Sequence, residues 1–450
     1  MQAAFDTIAA IATARGRGAI GVLRLSGPMT ESVMDRLFAS RSGRKAKAMG
    51  DFRLRFGDLL NASGEAIDSG LAFFARAPKS YTGEDYAEIF CHGNPAILEK
   101  LLASALESGA VSAPPGEFTR RAFLNGKMDL TQCEGVDELI RANGEKHLSA
   151  AWRLQRGDLK AKLDPISEKL SRTFAHIQGA IEFSDDVAED AASWKNSVSE
   201  AKAAIAELLK NAEVSAKIRD GLIVAIAGKP NAGKSSLFNA LINEERALVT
   251  KVAGTTRDTI SAELEVSGLN VTLLDTAGLR KTKGTVESLG VARAIENLGK
   301  ADAIIWTVDG TKKTSAAEEK EIKKWQAEKP VLVLRTKSDL ITDKDASNAL
   351  LSSAVSGEGL DEIKAFLKTT AEKVLSGEEN VILLKARHSE LLKEALKNLE
   401  AAESGLASGE YLELCAKELE LALASVWEVT GQKTPNEILD IIFGEFCVGK

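Results

Sequence analysis

Residues 228–235 read Gly-Lys-Pro-Asn-Ala-Gly-Lys-Ser, and the segments on either side leave this chain little freedom in how it folds. The apolar, partly β-branched run 221–227 comes before, as a buried parallel strand should. An amphipathic stretch from Ser236 to Leu241 follows and opens a helix. Strand, glycine-rich turn and helix start together make a phosphate cradle. The glycines let backbone N–H groups turn inward, and the helix N-terminus favours anionic oxygens. Asn231, Ala232, Gly233, Lys234, Ser235 and Ser236 would line it, with Lys234 reaching the β- and γ-phosphates and the Ser235 hydroxyl ligating Mg²⁺. A chance glycine turn is the plain alternative, and the flanking strand and helix argue against it.

Three further motifs follow in the order a nucleotide switch requires. Gly254-Thr255-Thr256-Arg257-Asp258 lies in a polar loop, where Thr256 is the candidate second hydroxyl ligand of Mg²⁺. The strand-like run 271–274 leads into Asp275-Thr276-Ala277-Gly278. There Asp275 would hold Mg²⁺ through water, and the Gly278 N–H can sense the γ-phosphate. The apolar run 331–335 ends at Thr336-Lys337-Ser338-Asp339. A carboxylate at Asp339 accepts two hydrogen bonds from guanine N1–H and the exocyclic amine, a pair adenine cannot offer. The Lys337 stem would cover the base, and a backbone N–H of Ser353-Ala354 can reach guanine O6. The nucleotide read here is GTP. The pattern resembles the N-K-x-D signature of small GTPases, with Thr336 in place of Asn, a change that loosens one purine contact and leaves Asp339 in place.

After Gly278 comes Leu279, where Ras-like GTPases carry a water-orienting Gln. A leucine cannot orient water, so hydrolysis needs a group from elsewhere. Asn231, Arg257, Arg280 and Glu287 are candidates, and spacing alone favours a solvated loop residue for all four.

A chain of 450 residues implies two or three domains, and 44% hydrophobic content suffices for real cores. A net charge of −7 argues against a surface that coats nucleic acid, so any RNA contact must use a local patch or a partner. Cys91, Cys133, Cys415 and Cys447 are widely spaced and lack zinc-like spacing, which fits a reducing cytosol. Cys91-His92 lacks a second pair nearby and is not read as a metal site. No basic segment leads the first apolar run, and no apolar run approaches the ~20 residues of a membrane helix, so a cytoplasmic protein without membrane contact is expected.

The organisation expected is an α/β multidomain chain. Residues 1–120 mix short β-patterned runs with turns and read as an α+β domain. Gly16 to Gly21 matches G-x-G-x-x-G, but a strand follows instead of the helix a dinucleotide site requires. Residues 121–217 and 377–450 are rich in Ala, Leu, Glu and Lys at helical spacing and should pack together as one discontinuous all-α domain. A Ras-like P-loop GTPase domain, 218–376, is then an insertion into it. Thr434-Pro435-Asn436-Glu437 supplies an N-cap hydroxyl and a Pro for a last helix ending at Gly444, after which Glu445–Lys450 should project free.

Further segments carry a resemblance: Asp6-Thr7-Ile8-Ala9-Ala10, Leu23-Arg24-Leu25-Ser26-Gly27, Tyr81-Thr82-Gly83-Glu84-Asp85, Pro115-Gly116-Glu117-Phe118-Thr119, 121–127, and the terminal Phe446-Cys447-Val448-Gly449-Lys450. With the GTPase series they span nearly the whole chain, which resembles the MnmE (TrmE) family of tRNA-modification GTPases. The resemblance implies a homodimer formed through N-terminal domains that bind 5-formyl-tetrahydrofolate, with Arg24, Glu84, Lys127 and Lys450 at the matching positions. It implies an FAD-dependent partner, MnmG, in a heterotetramer. Together they would modify C5 of the wobble uridine of tRNA with a folate one-carbon unit. It also implies hydrolysis activated by K⁺, held by Asn231, Thr250, Val252 and Thr255, with Glu287 orienting water and Arg257 and Asp258 supporting loop closure. Cys447 matches a cysteine discussed as chemically active; a buried tail thiol is the equal alternative. A regulatory or ribosome-assembly GTPase switch is the competing reading, and the N-terminal zone and C-x-G-K tail are what such a switch would not need.

Overall fold

The computed structural model describes residues 6–182, 191–244, 260–275, 295–341, 350–375, 381–409 and 411–450. The chain forms two compact units, one of residues 1–140, 154–205 and 390–450, the other of 141–153 and 206–389.

The first unit carries a seven-stranded sheet of β1 (Ile8–Ile11), β2 (Ile20–Ser26), β3 (Phe38–Ser40), β4 (Arg55–Leu60), β5 (Ala66–Ala75), β6 (Tyr86–His92) and β7 (Val111–Ser112). The order is β3-β4-β5-β6-β2-β1-β7, antiparallel except for the β1–β7 pair. Alternation along β2 sets its faces. Leu23 and Leu25 join a core with Met34, Leu37 and Leu101 from the helices Thr30–Leu37 and Pro95–Glu107, which leaves Arg24 on the other side. The second of these helices starts where sequence dictates: Asn94 accepts from Ala96 N at 2.9 Å and Pro95 occupies the first turn. Because β2 begins at Ile20, inside the Gly16–Gly21 run, no helix is there to bind a dinucleotide.

The two helical zones do pack together in this unit. Helix Asp158–Glu182 turns Leu159, Leu163, Ile166, Leu170 and Ile177 inward and packs on helix Leu412–Thr430. Leu130 and Cys133 share a core with Leu439, Phe443 and Phe446, and Lys202 pairs with Glu403. The last helix runs Asn436–Gly444. Its expected cap is not made: the Thr434 hydroxyl donates to Glu428 O at 3.3 Å instead, so the helix opens without a side-chain cap.

The second unit holds a six-stranded sheet of β8 (Leu222–Ala227), β9 (Ile260–Val266), β10 (Leu269–Asp275), β11 (Ala303–Asp309), β12 (Val331–Thr336) and β13 (Leu350–Leu351). The order is β13-β12-β11-β8-β10-β9, parallel throughout except for the edge strand β9. The unit is broader than the 218–376 span expected from sequence. Lys146 N donates to Gly268 O at 2.9 Å in the β9–β10 turn, and Ser215 exchanges hydrogen bonds with Leu384. These short polar ties gather helical residues around the sheet. Among the described residues, no helix is long and apolar enough to cross a membrane.

Candidate functional site

The P-loop leaves the C-terminal end of β8, at the crevice where doubly wound sheets bind ligands. Gly228 is irreplaceable there by sterics, since a Cβ would meet Thr307 O at 2.1 Å. Asn231 and Gly233 adopt positive φ, 65° and 82°, which curls the loop back before the helix Lys234–Glu244 begins. Ala232 is buried, and Ser235 and Ser236 are exposed at the helix start. The Lys234 ammonium donates to Gly228 O and Lys229 O, both at 2.8 Å. Burial holds its pKa below the usual lysine value, against the opposing charge of Asp275. The Ser235 hydroxyl donates to Asp275 Oδ2 at 2.9 Å, and Asp275 is buried at the end of β10. Two of the three oxygen groups expected around Mg²⁺ therefore lie side by side, a donor set of the hard kind the ion takes.

The base-side motif is assembled as well. Asp339 accepts from the Ser353 hydroxyl at 2.6 Å, and Ala354 is the next residue of that loop. Ser353 N donates to Glu358 O at 2.9 Å, which leaves Ala354 N as the group to consider for guanine O6. Lys337, at φ 62°, places its ammonium 2.8 Å from Asp309 Oδ2. Burial would raise the Asp309 pKa, but hydrogen bonds from Lys337 and Thr311 outweigh it and hold the carboxyl well below the usual range. Thr336 is buried and donates to Ala232 O at 2.7 Å, with Val308 O at 3.1 Å. Its hydroxyl thus ties β12 to the P-loop. Thr250, Val252, Thr255, Thr256, Arg257, Asp258, Gly278, Leu279, Arg280 and Glu287 lie outside the described residues.

A second cluster forms in the first unit. The tail does not project free: Gly116 N donates to Cys447 O at 3.3 Å and Phe118 N to Lys450 O at 3.0 Å. Arg24 completes the strap by donating to Gly449 O at 2.6 Å, while its Nε and Nη2 hold Glu88 at 3.0 and 2.9 Å. Tyr81, Tyr86 and Phe118 present ring faces to the guanidinium. Burial, then the nearby Arg24 charge, lowers the Lys450 pKa. Glu84 accepts from Arg121 Nη1 at 2.9 Å and Ser26 Oγ at 2.8 Å. Lys127 donates to Pro78 O at 3.0 Å, and its stem runs past Gly83, beside Glu84. Cys447 is exposed, which removes the buried-thiol reading, whereas Cys91, Cys133 and Cys415 are buried. Sequence reasoning missed Glu88, Arg121 and Ser26. The β2–β6 register, which sets Arg24 opposite Glu88, would have revealed the first.

A profile of the MnmE helical domain matches residues 130–447, and one of the TrmE N-terminus matches 7–127. Over 99% of both chains, this protein is 40% identical to a Geobacter sulfurreducens protein named tRNA modification GTPase MnmE. The chain belongs to the MnmE family of tRNA-modification GTPases. An MnmE of Pseudomonas aeruginosa is 37% identical over the full length of both chains. The solved G domain of the Thermotoga maritima FeoB iron transporter is similar over 33% of this chain and 98% of its own, at 26% identity and a TM-score of 0.27. As an MnmE-family member, the chain is a GTP hydrolase that acts in tRNA modification, and its N-terminal α+β domain, discontinuous helical domain and inserted P-loop GTPase domain are the family architecture.

Proposed function

We propose that the protein couples K⁺-activated GTP hydrolysis to modification of C5 of the wobble uridine in tRNA, using a folate one-carbon unit and working in the cytoplasm with FAD-dependent MnmG. The observation that carries this reading beyond a bare switch is the docked tail. Arg24 donates to the Gly449 carbonyl at 2.6 Å, which holds Lys450 next to the Arg24–Glu88 pair and adds a further cationic group at that place on the sheet. Such a site favours an anionic ligand. Arg24, Lys127 and Lys450 would pair the carboxylates of 5-formyl-tetrahydrofolate, and Glu84, fixed by Arg121 and Ser26, would accept from the pterin amine edge. The folate supplies the one-carbon unit. Domain limits of 1–120, 121–217, 218–376 and 377–450 and a homodimer through the N-terminal domain belong to the same reading.

On the GTPase side, Lys234 binds the β- and γ-phosphates and Asp339 reads guanine with Ala354. Ser235, Asp275 and Thr256 would hold Mg²⁺, and Asn231, Thr250, Val252 and Thr255 would hold K⁺. Bound there, the cations neutralise charge that builds on the phosphates. Glu287 orients water while Arg257 and Asp258 support loop closure.

GTP hydrolysis in KCl and NaCl at equal ionic strength, run beside binding of 5-formyl-tetrahydrofolate, tests both halves. Faster turnover in KCl and saturable folate binding are expected. Equal slow rates with no folate binding would replace this reading with the switch GTPase.

A further inference from the structure

We propose that Lys229, braced by Glu318 and Ser315, is a positioning residue for the P-loop lysine in GTP hydrolysis. The inference rests on the reading of Lys234 as the phosphate-binding lysine. Lys229 is the second residue of the loop, and its backbone carbonyl is one of the two that hold the Lys234 ammonium, at 2.8 Å. The same carbonyl accepts Ala232 N at 3.2 Å, so the position of this one peptide sets both the curl of the loop and the seat of Lys234.

The Lys229 side chain fixes that peptide from outside. Its ammonium donates to Ser315 Oγ at 2.6 Å and lies 3.0 Å from Glu318 Oε2. Ser315 caps the helix Ala316–Gln326, and Glu318 sits in that helix's first turn. The carboxylate is 5% exposed, and its other oxygen faces Trp306 Nε1 in the core of the parallel sheet. The brace is therefore rooted in rigid structure. The contacts to Glu318 and Ser315 tie the Lys229 peptide to that structure and hold the loop in the shape that receives phosphate. Lys229 has no need to touch the nucleotide.

The test compares Lys229→Met, Lys229→Arg, Glu318→Gln, the Lys229→Met/Glu318→Gln double variant and Lys234→Met. Each is assayed for kcat at saturating GTP, GDP affinity and thermal midpoint. Lys229→Met is expected to lower kcat about tenfold, the scale of a small misplacement of a catalytic group, with GDP affinity within about threefold of the parent. Glu318→Gln should act in the same direction, and the double variant should be no slower than Lys229→Met, because the two side chains work as one unit. Lys229→Arg should recover most of the rate. Unchanged kcat in Lys229→Met, additive losses in the double variant, or a rate loss that merely follows a lowered thermal midpoint and is not rescued by arginine would each overturn the proposal. Normal turnover in Lys234→Met would instead remove the reading beneath it. Loss there with a normal Lys229→Met removes only the brace.

Discussion

Thr336 shows how much one side chain can change meaning between sequence and structure. By motif it is a weakened base contact; in the fold its hydroxyl is a buried strut from β12 to Ala232 O. Replacing it by valine keeps the shape and leaves that carbonyl without its donor. Thr336→Val should cost about 1–3 kcal/mol of stability, the usual penalty for an unsatisfied buried acceptor, read as a lower urea midpoint of the second unit. An unchanged midpoint would mean the carbonyl finds another donor. Lys234, Ser235, Asp275 and Asp339 were legible because each belongs to a short motif whose spacing reflects one local turn. Glu318 was not, since nothing local marks an acid on an ordinary amphipathic helix as the partner of a lysine 89 positions earlier. Arg121 was passed over for the same reason, its partner Glu84 lying far away in sequence.

At the scale of elements, sequence pattern placed the strands that carry the nucleotide motifs, β8, β10 and β12, and the helical zones, while the tail was read less well. The tail Glu445–Lys450 looks unstructured because it has no period, yet three hydrogen bonds to its carbonyls fasten it to the sheet unit. Such non-repeating contacts leave no trace in a hydrophobic pattern. The docking has a pH signature. Burial and Arg24 hold the Lys450 pKa below its unfolded value, so between the two values the unfolded chain binds more protons than the folded one. Stability of the first unit should therefore rise as pH climbs through that alkaline window. The rise should vanish in Lys450→Met and shrink in Arg24→Ala, followed by urea midpoints across the window. Parallel profiles for parent and Lys450→Met would show that the tail lysine does not feel the sheet.

For the whole molecule, the division into two units predicts separable responses. GDP with Mg²⁺ at 100 times its dissociation constant should add about 2.7 kcal/mol to the unit that holds the P-loop and move only its calorimetric transition. A single transition displaced as a whole would mean that the units unfold together. Architecture also fixes an order of events during synthesis. Helix Asp158–Glu182 waits for its partner Leu412–Thr430, roughly 230 residues later, while almost all of the GTPase unit, 206–389, is contiguous. At ~5–20 residues per second the ribosome needs roughly 10–50 s to deliver that partner. Throughout that interval the stripe of Leu159, Leu163, Ile166 and Leu170 lacks the cover of that helix, so the nascent chain is a natural client for chaperones until its closing helices emerge.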